Sequence, residues 1–169
     1  MGVKQPIRTR DWFRALFDEH HHALLAYAVR RVGPDEAEDV VAEVFTTLWR
    51  RRDEVPAEVR PWLYGVARHE ILHTHRGTGR RQALRRRMAR QTPEPGNDGF
   101  ARVEIDAVLD QLDPTDAEVL RLTIWEQLTP SEIALTLGIS PPAARQRLLR
   151  ARNRAQRLHA LHTDQRTTA

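Results

Sequence analysis

The sequence predicts an all-α chain: two small helical domains, a helical bundle and a helix-turn-helix, joined by a flexible linker. Three observations carry that expectation. Apolar residues recur at spacings of three and four, and the alternation expected of strands is lacking. Capping residues stand directly before proline at Asp113-Pro114, Thr129-Pro130 and Ser140-Pro141, which marks helix starts. Between two such helical regions, Gln91–Gly99 (QTPEPGNDG) has no apolar residue and packs two Pro and two Gly into nine positions.

The first helix carries Trp12, Phe13, Leu16, Phe17, Leu24, Leu25, Ala28, Val29 and Val32 on its apolar stripe and stops at Gly33-Pro34. A second begins at Asp35, with Val40, Val41, Val44, Phe45, Leu48 and Trp49 on one face. Its first turn is acidic (Asp35, Glu36, Glu38, Asp39) and its last basic (Arg50, Arg51, Arg52), the order that complements a helix dipole. Asp53–Pro61, with two prolines, is expected to be a loop. A third helix then turns Trp62, Leu63, Val66, Ala67, Ile71 and Leu72 inward and runs into an arginine-rich stretch.

In the C-terminal half, Ile105, Val108, Leu109 and Leu112 make a short amphipathic helix. Pro114 opens the next, with Val119, Leu120 and Leu122. Thr129-Pro130-Ser131-Glu132 combines an N-cap, Pro at the first position and a capping-box Glu, ahead of Ile133, Ala134, Leu137 and a terminating Gly138. Ser140 caps the last helix, whose apolar positions are Leu148, Leu149 and Ala151. These elements divide the chain into residues 8–81, a linker 82–103, a second domain 104–162 and a tail 163–169.

Composition narrows the function. The 169 residues contain no cysteine, which excludes disulfides, thiol catalysis and thiolate metal sites and fits a reducing compartment. No apolar run approaches the roughly 20 residues of a membrane span, and Met1–Arg14 has no signal-like apolar region, so a cytoplasmic protein is expected. Lys4 is the one lysine among 27 basic residues. Seven Arg and no acid lie between Arg76 and Arg90, and six Arg and no acid between Arg145 and Arg157. Two such blocks in helical context point to a polyanion, against the alternative of solvated helix faces.

Two motifs compete. Ser131–Arg152 has the pattern of a helix-turn-helix: small Ala134 at the crossing, Gly138 in the turn, Ile139 at the joint. Its second helix presents Arg145, Gln146, Arg147 and Arg150, residue types that read guanine and adenine edges. A plain helical hairpin with a solvated arginine face is the alternative. His69-Glu70-Ile71-Leu72-His73 matches the zincin pattern H-E-x-x-H, two imidazoles one turn apart with a glutamate between. A third ligand would have to come from His75, close along the same helix, or from His20–His22, and no substrate-binding strand accompanies the motif. Neither a metal nor a cofactor is expected.

Four segments in order, DEAEDVVAEVFTTLW (35–49), PWLYGVAR (61–68), LDQLDP (109–114) and the helix-turn-helix ending RLLRAR (147–152), resemble the extracytoplasmic-function (ECF) subfamily of bacterial RNA polymerase sigma factors. The resemblance covers roughly Phe17–Arg81 as region 2 and Val108–Leu158 as region 4. It implies a two-domain promoter-recognition subunit without the additional regions of larger sigma factors. Its partners would be core RNA polymerase, through the clamp helices of the largest subunit, promoter DNA, and an anti-sigma factor as a candidate regulator. The resemblance places core docking on Asp39, Glu43, Val44, Leu48 and Trp49, with Ala42 where Gln is usual. It places −10 recognition on the Asp53–Pro61 loop and on Arg60, Trp62, Arg68, His69, His73 and Arg76, the two histidines standing where Asn, and Asp or Asn, are common. It gives −35 recognition to Ser140, Arg145, Gln146, Leu149 and Arg150, with Pro142, Ala144 and Gln146 departing from the usual pattern. A stand-alone operator-binding helix-turn-helix regulator is the runner-up, and a zinc hydrolase the third reading.

Overall fold

The computed structural model describes residues 8–78 and 105–167, and every regular element among them is helical. The chain divides into two compact units, Met1–Gln91 and Thr92–Ala169. The linker and much of the first arginine block lie outside the described residues.

The first unit is built on α1 (Arg10–Val32), α2 (Pro34–Arg50) and α3 (Val59–Thr78), with one 3-10 turn at Arg52–Glu54. Thr9 caps α1, its hydroxyl accepting from the Trp12 amide (3.4 Å). Gly33 ends the helix at φ 87°, a conformation that favours glycine, and Pro34 starts α2 where a missing N–H does no harm. Asp35 and Glu36 open α2 and Arg50 closes it, as the dipole favours.

The three helices bury Leu24, Tyr27 and Ala28 of α1, Val40, Val41, Val44 and Leu48 of α2, and Leu63, Tyr64, Ala67 and Ile71 of α3. Tyr27 and Tyr64 meet edge-on at 5.2 Å, and the Arg31 guanidinium covers the Tyr27 ring at 3.6 Å. Two sequence expectations need correction here. Leu72 points outward, 42% exposed. The loop is also shorter than Asp53–Pro61, because α3 begins at Val59. Pro61 is tolerated there because the first-turn amides of a helix have no intrahelical partner.

The second unit holds a helical stretch at 105–109, then α4 (Pro114–Ile124), α5 (Pro130–Leu137) and α6 (Pro141–Thr167). Asp113 caps α4 through the Thr115 amide (2.9 Å). Thr129 and Glu132 form the reciprocal capping box of α5. Gly138 sits in the left-handed region (φ 64°, ψ 37°), and the Ile139 amide donates back to the Ala134 carbonyl (3.0 Å), closing the turn. Ala134 and Ala144 are both buried, so α5 and α6 cross closely over small side chains. The α4–α5 turn passes through Gln127 at φ 53°, a left-handed position without a glycine to announce it.

Candidate nucleic-acid interface

Burial sorts the candidate residues of α2 into two groups. Asp39 and Glu43 are exposed, and Trp49 is 37% exposed at the end of the helix. Val44 and Leu48 are fully buried, which corrects their assignment to a docking surface: they seat α2 on its neighbours and have no area left for a partner. Glu43 reaches Arg50 at 3.7 Å, but both side chains are largely in solvent, so that pair holds Glu43 only loosely. Trp49 belongs to an aromatic cluster the sequence did not announce. Its ring meets Phe13 edge-on at 5.5 Å, Phe17 lies 4.7 Å from Phe45, and the Arg52 guanidinium covers Trp49 at 4.8 Å.

The turn after α2 is well determined by its own side chains. Arg51 grips Glu54 through Nε (3.0 Å) and Nη2 (2.8 Å), and Arg52 donates to the Trp49 carbonyl (3.0 Å). Val55 is its one buried side chain, while Asp53, Glu54, Pro56, Ala57 and Glu58 are exposed.

On α3, spacings of seven and four place Trp62, His69 and His73 along one side of the helix. His69 and His73 are exposed, with ring centroids 6.4 Å apart, whereas Arg60, Trp62 and Arg68 are half-buried. The Arg76 side chain lies outside the described residues. Arg60 stands near His20 of α1. Burial holds the His20 imidazole below its usual value, against the pull of Glu19 at 3.8 Å and with a further push from the Arg60 charge. Among the described residues, no group of three or more His, Asp or Glu is brought together as a metal would need.

In the second unit, the Ser140 hydroxyl accepts from the Ala143 amide (3.3 Å) and so caps the start of α6. Arg145, Gln146, Leu149 and Arg150 are all exposed, Leu149 at 61%, while Ala144, Leu148 and Ala151 are buried. Leu149 is therefore not part of the packed stripe, and Arg147 is half-buried beside it. Over residues 145–150, the outward side of α6 is a ridge of two guanidiniums, one amide and one leucine above the buried Ala144 and Leu148. Side chains of these types are the ones that suit base edges, a thymine methyl and phosphates.

A helix-turn-helix with such a ridge, in the same chain as a separate three-helix unit, defines a two-part DNA-binding protein. Comparison with known proteins gives its family. Residues 16–81 match Sigma-70 region 2, and residues 102–154 match Sigma-70, region 4. The ECF RNA polymerase sigma factor SigL of Mycobacterium tuberculosis is 31% identical over 144 residues, 80% of this chain and 81% of that protein. The RNA polymerase sigma factor NccH of Alcaligenes xylosoxydans xylosoxydans is 28% identical over 148 residues, 79% of this chain and 80% of its own. Among solved structures, CnrH in complex with the cytosolic domain of CnrY matches with a TM-score of 0.64 at 26% identity, covering 89% of this chain and 88% of that one. The sigma factor RpoE from Bartonella quintana, solved with the anti-sigma factor NepR, shares the fold at a TM-score of 0.67 and 22% identity, covering 89% and 97%.

The chain belongs to the ECF family of RNA polymerase sigma factors. It is an alternative sigma factor that directs promoter transcription. The match over 16–81 sets aside the stand-alone regulator, and it places the H-E-x-x-H motif inside region 2. No helix among the described residues is long and apolar enough to cross a membrane.

Proposed function

We propose how the surfaces divide the work. The exposed acids of α2, Asp39 and Glu43, with Trp49 at its end, dock on the clamp helices of the largest polymerase subunit. The 51–58 turn and the α3 residues Arg60, Trp62, Arg68, His69, His73 and Arg76 receive the −10 element. The α6 ridge reads the −35 element through Arg145, Gln146, Leu149 and Arg150, with Ser140 at the capped end of the helix. The chain's task is recognition, with no enzymatic step of its own, and its place of action is the cytoplasm, on the nucleoid. An anti-sigma factor is the proposed regulatory partner. Support comes from CnrH, which was solved bound to the cytosolic domain of CnrY.

The observation that carries this reading is the split of α6: buried alanine and leucine on one side, exposed Arg145, Gln146 and Arg150 on the other. Docking is tested by Asp39→Arg with Glu43→Arg. Both positions are exposed, so helical content stays unchanged, and pull-down of core polymerase is lost. Normal core binding by the double variant removes this face of α2 from the interface.

A further inference from the structure

We propose that Arg8, ahead of α1, is a positioning residue for −10 recognition that clamps the backbone of the 51–58 turn. This rests on the reading of that turn as part of the −10 surface. The guanidinium donates from Nη1 to the Arg52 carbonyl and from Nη2 to the Val55 carbonyl, reaching across 44 and 47 positions of sequence. It bridges one end of the 3-10 turn and the residue just beyond the other. A forked, permanently charged donor can hold two backbone carbonyls at a set separation.

Arg8 is itself set in place by the start of α1. Its guanidinium lies over the Trp12 ring at 5.0 Å. Thr9, the next residue, is fixed by accepting from the Trp12 amide through its hydroxyl and from the Phe13 amide through its carbonyl (3.1 Å). The cap of α1 thus aims Arg8, and Arg8 holds the turn. The turn's ties to α2 are the Arg52 donation to the Trp49 carbonyl (3.0 Å) and the Arg51 amide's donation to the Thr47 carbonyl (2.9 Å). Val55 is its one buried side chain, and the Arg51–Glu54 pair is internal to it. Arg8 lies outside the stretch 16–81 that matches Sigma-70 region 2.

Position matters because extruding a base from its stack is unfavourable, and a pocket that receives it discriminates only if its walls are in place beforehand. Without Arg8, the 51–58 backbone samples more conformations and base preference broadens while the fold persists.

The test compares Arg8→Ala and Arg8→Lys in the full chain, assembled with core polymerase. One readout is amide exchange of the turn, including the Glu54 amide, which donates to the Arg51 carbonyl (2.8 Å). The other is run-off transcription from a library randomised across the −10 element. Arg8→Ala is expected to speed exchange at 51–58 at least about tenfold, leave α2 and α3 protected, keep core binding, and flatten the −10 profile. Arg8→Lys, a single point charge without the fork, recovers only part of it. Unchanged exchange overturns the clamp. Faster exchange with an unchanged −10 profile overturns its role in recognition. Asp53→Ala and Glu58→Ala, in the turn itself, separate the two readings. If they alter the profile and Arg8→Ala does not, the clamp alone fails. If none of the three does, the turn is not a reading surface, and the inference falls with it.

Discussion

His20 shows how one residue couples α1 to α3. Its imidazole is kept neutral by burial, opposed by Glu19 and reinforced by Arg60 of α3. A folded-state value below the ordinary 6.5 means that the unfolded chain binds the proton more readily. The contribution of His20 is therefore fully present above about pH 6.5 and is lost as pH falls toward the lowered folded value. Thermal unfolding followed from pH 7.5 down to pH 5 is expected to show a steeper loss for the wild type than for His20→Gln. Parallel curves would contradict the assignment. His69 and His73 differ in kind: they are exposed, one turn apart, on a surface assigned to DNA. An imidazole is bulkier than the amide or carboxylate it replaces and offers one donor and one acceptor when neutral. His69→Asn with His73→Asp is expected to shift or sharpen the preferred −10 base with core binding intact. Indistinguishable profiles from a randomised −10 library would take these two side chains out of the reading surface.

Elements were most legible where a local rule has a local cause. Asp113, Thr129 with Glu132, and Ser140 each cap the helix their sequence announces, because a cap depends on only three or four neighbouring residues. Gly138 is a sharper instance. A Cβ added there would meet nothing within 4 Å, so steric fit to neighbours plays no part in the choice of glycine. The requirement lies in the backbone, at φ +64°. Gly138→Ala is accordingly expected to destabilise the second unit by about 1 kcal/mol, and Gly138→Asn by less, in urea unfolding. A loss of several kcal/mol would mean that the turn is crowded after all. Boundaries set by tertiary contact were less legible. The two prolines around residue 58 suggested a loop through Pro61, yet α3 starts at Val59. Gln127 adopts a glycine-like φ with no glycine in the sequence.

At the scale of the whole chain, composition and charge placement indicated what the protein binds, and periodicity indicated an all-helical fold. Neither could say which apolar residues face a partner. Val44 and Leu48 lie on the same helix as Asp39 and Glu43, but the bundle takes the first two and leaves the acids outside. The apolar stripe was also misjudged at its edges. Tyr27 and Tyr64, with polar tips, are buried against each other, while Leu72 and Leu149 are exposed on the helices assigned to DNA. Arg8 was invisible for another reason, since its two acceptors are backbone carbonyls more than 40 residues away. In the proposed division of work, the α6 ridge of this sigma factor chooses the −35 element. Run-off transcription by sigma-free core polymerase, on a promoter library randomised at −35, tests it most directly with wild type and Arg145→Ala side by side. Wild type is expected to select a defined −35 sequence. Arg145→Ala should lose roughly 1–3 kcal/mol of discrimination, concentrated at one base pair. Transcription no greater than that of core alone, or an Arg145→Ala effect spread evenly over all −35 sequences, would contradict the account.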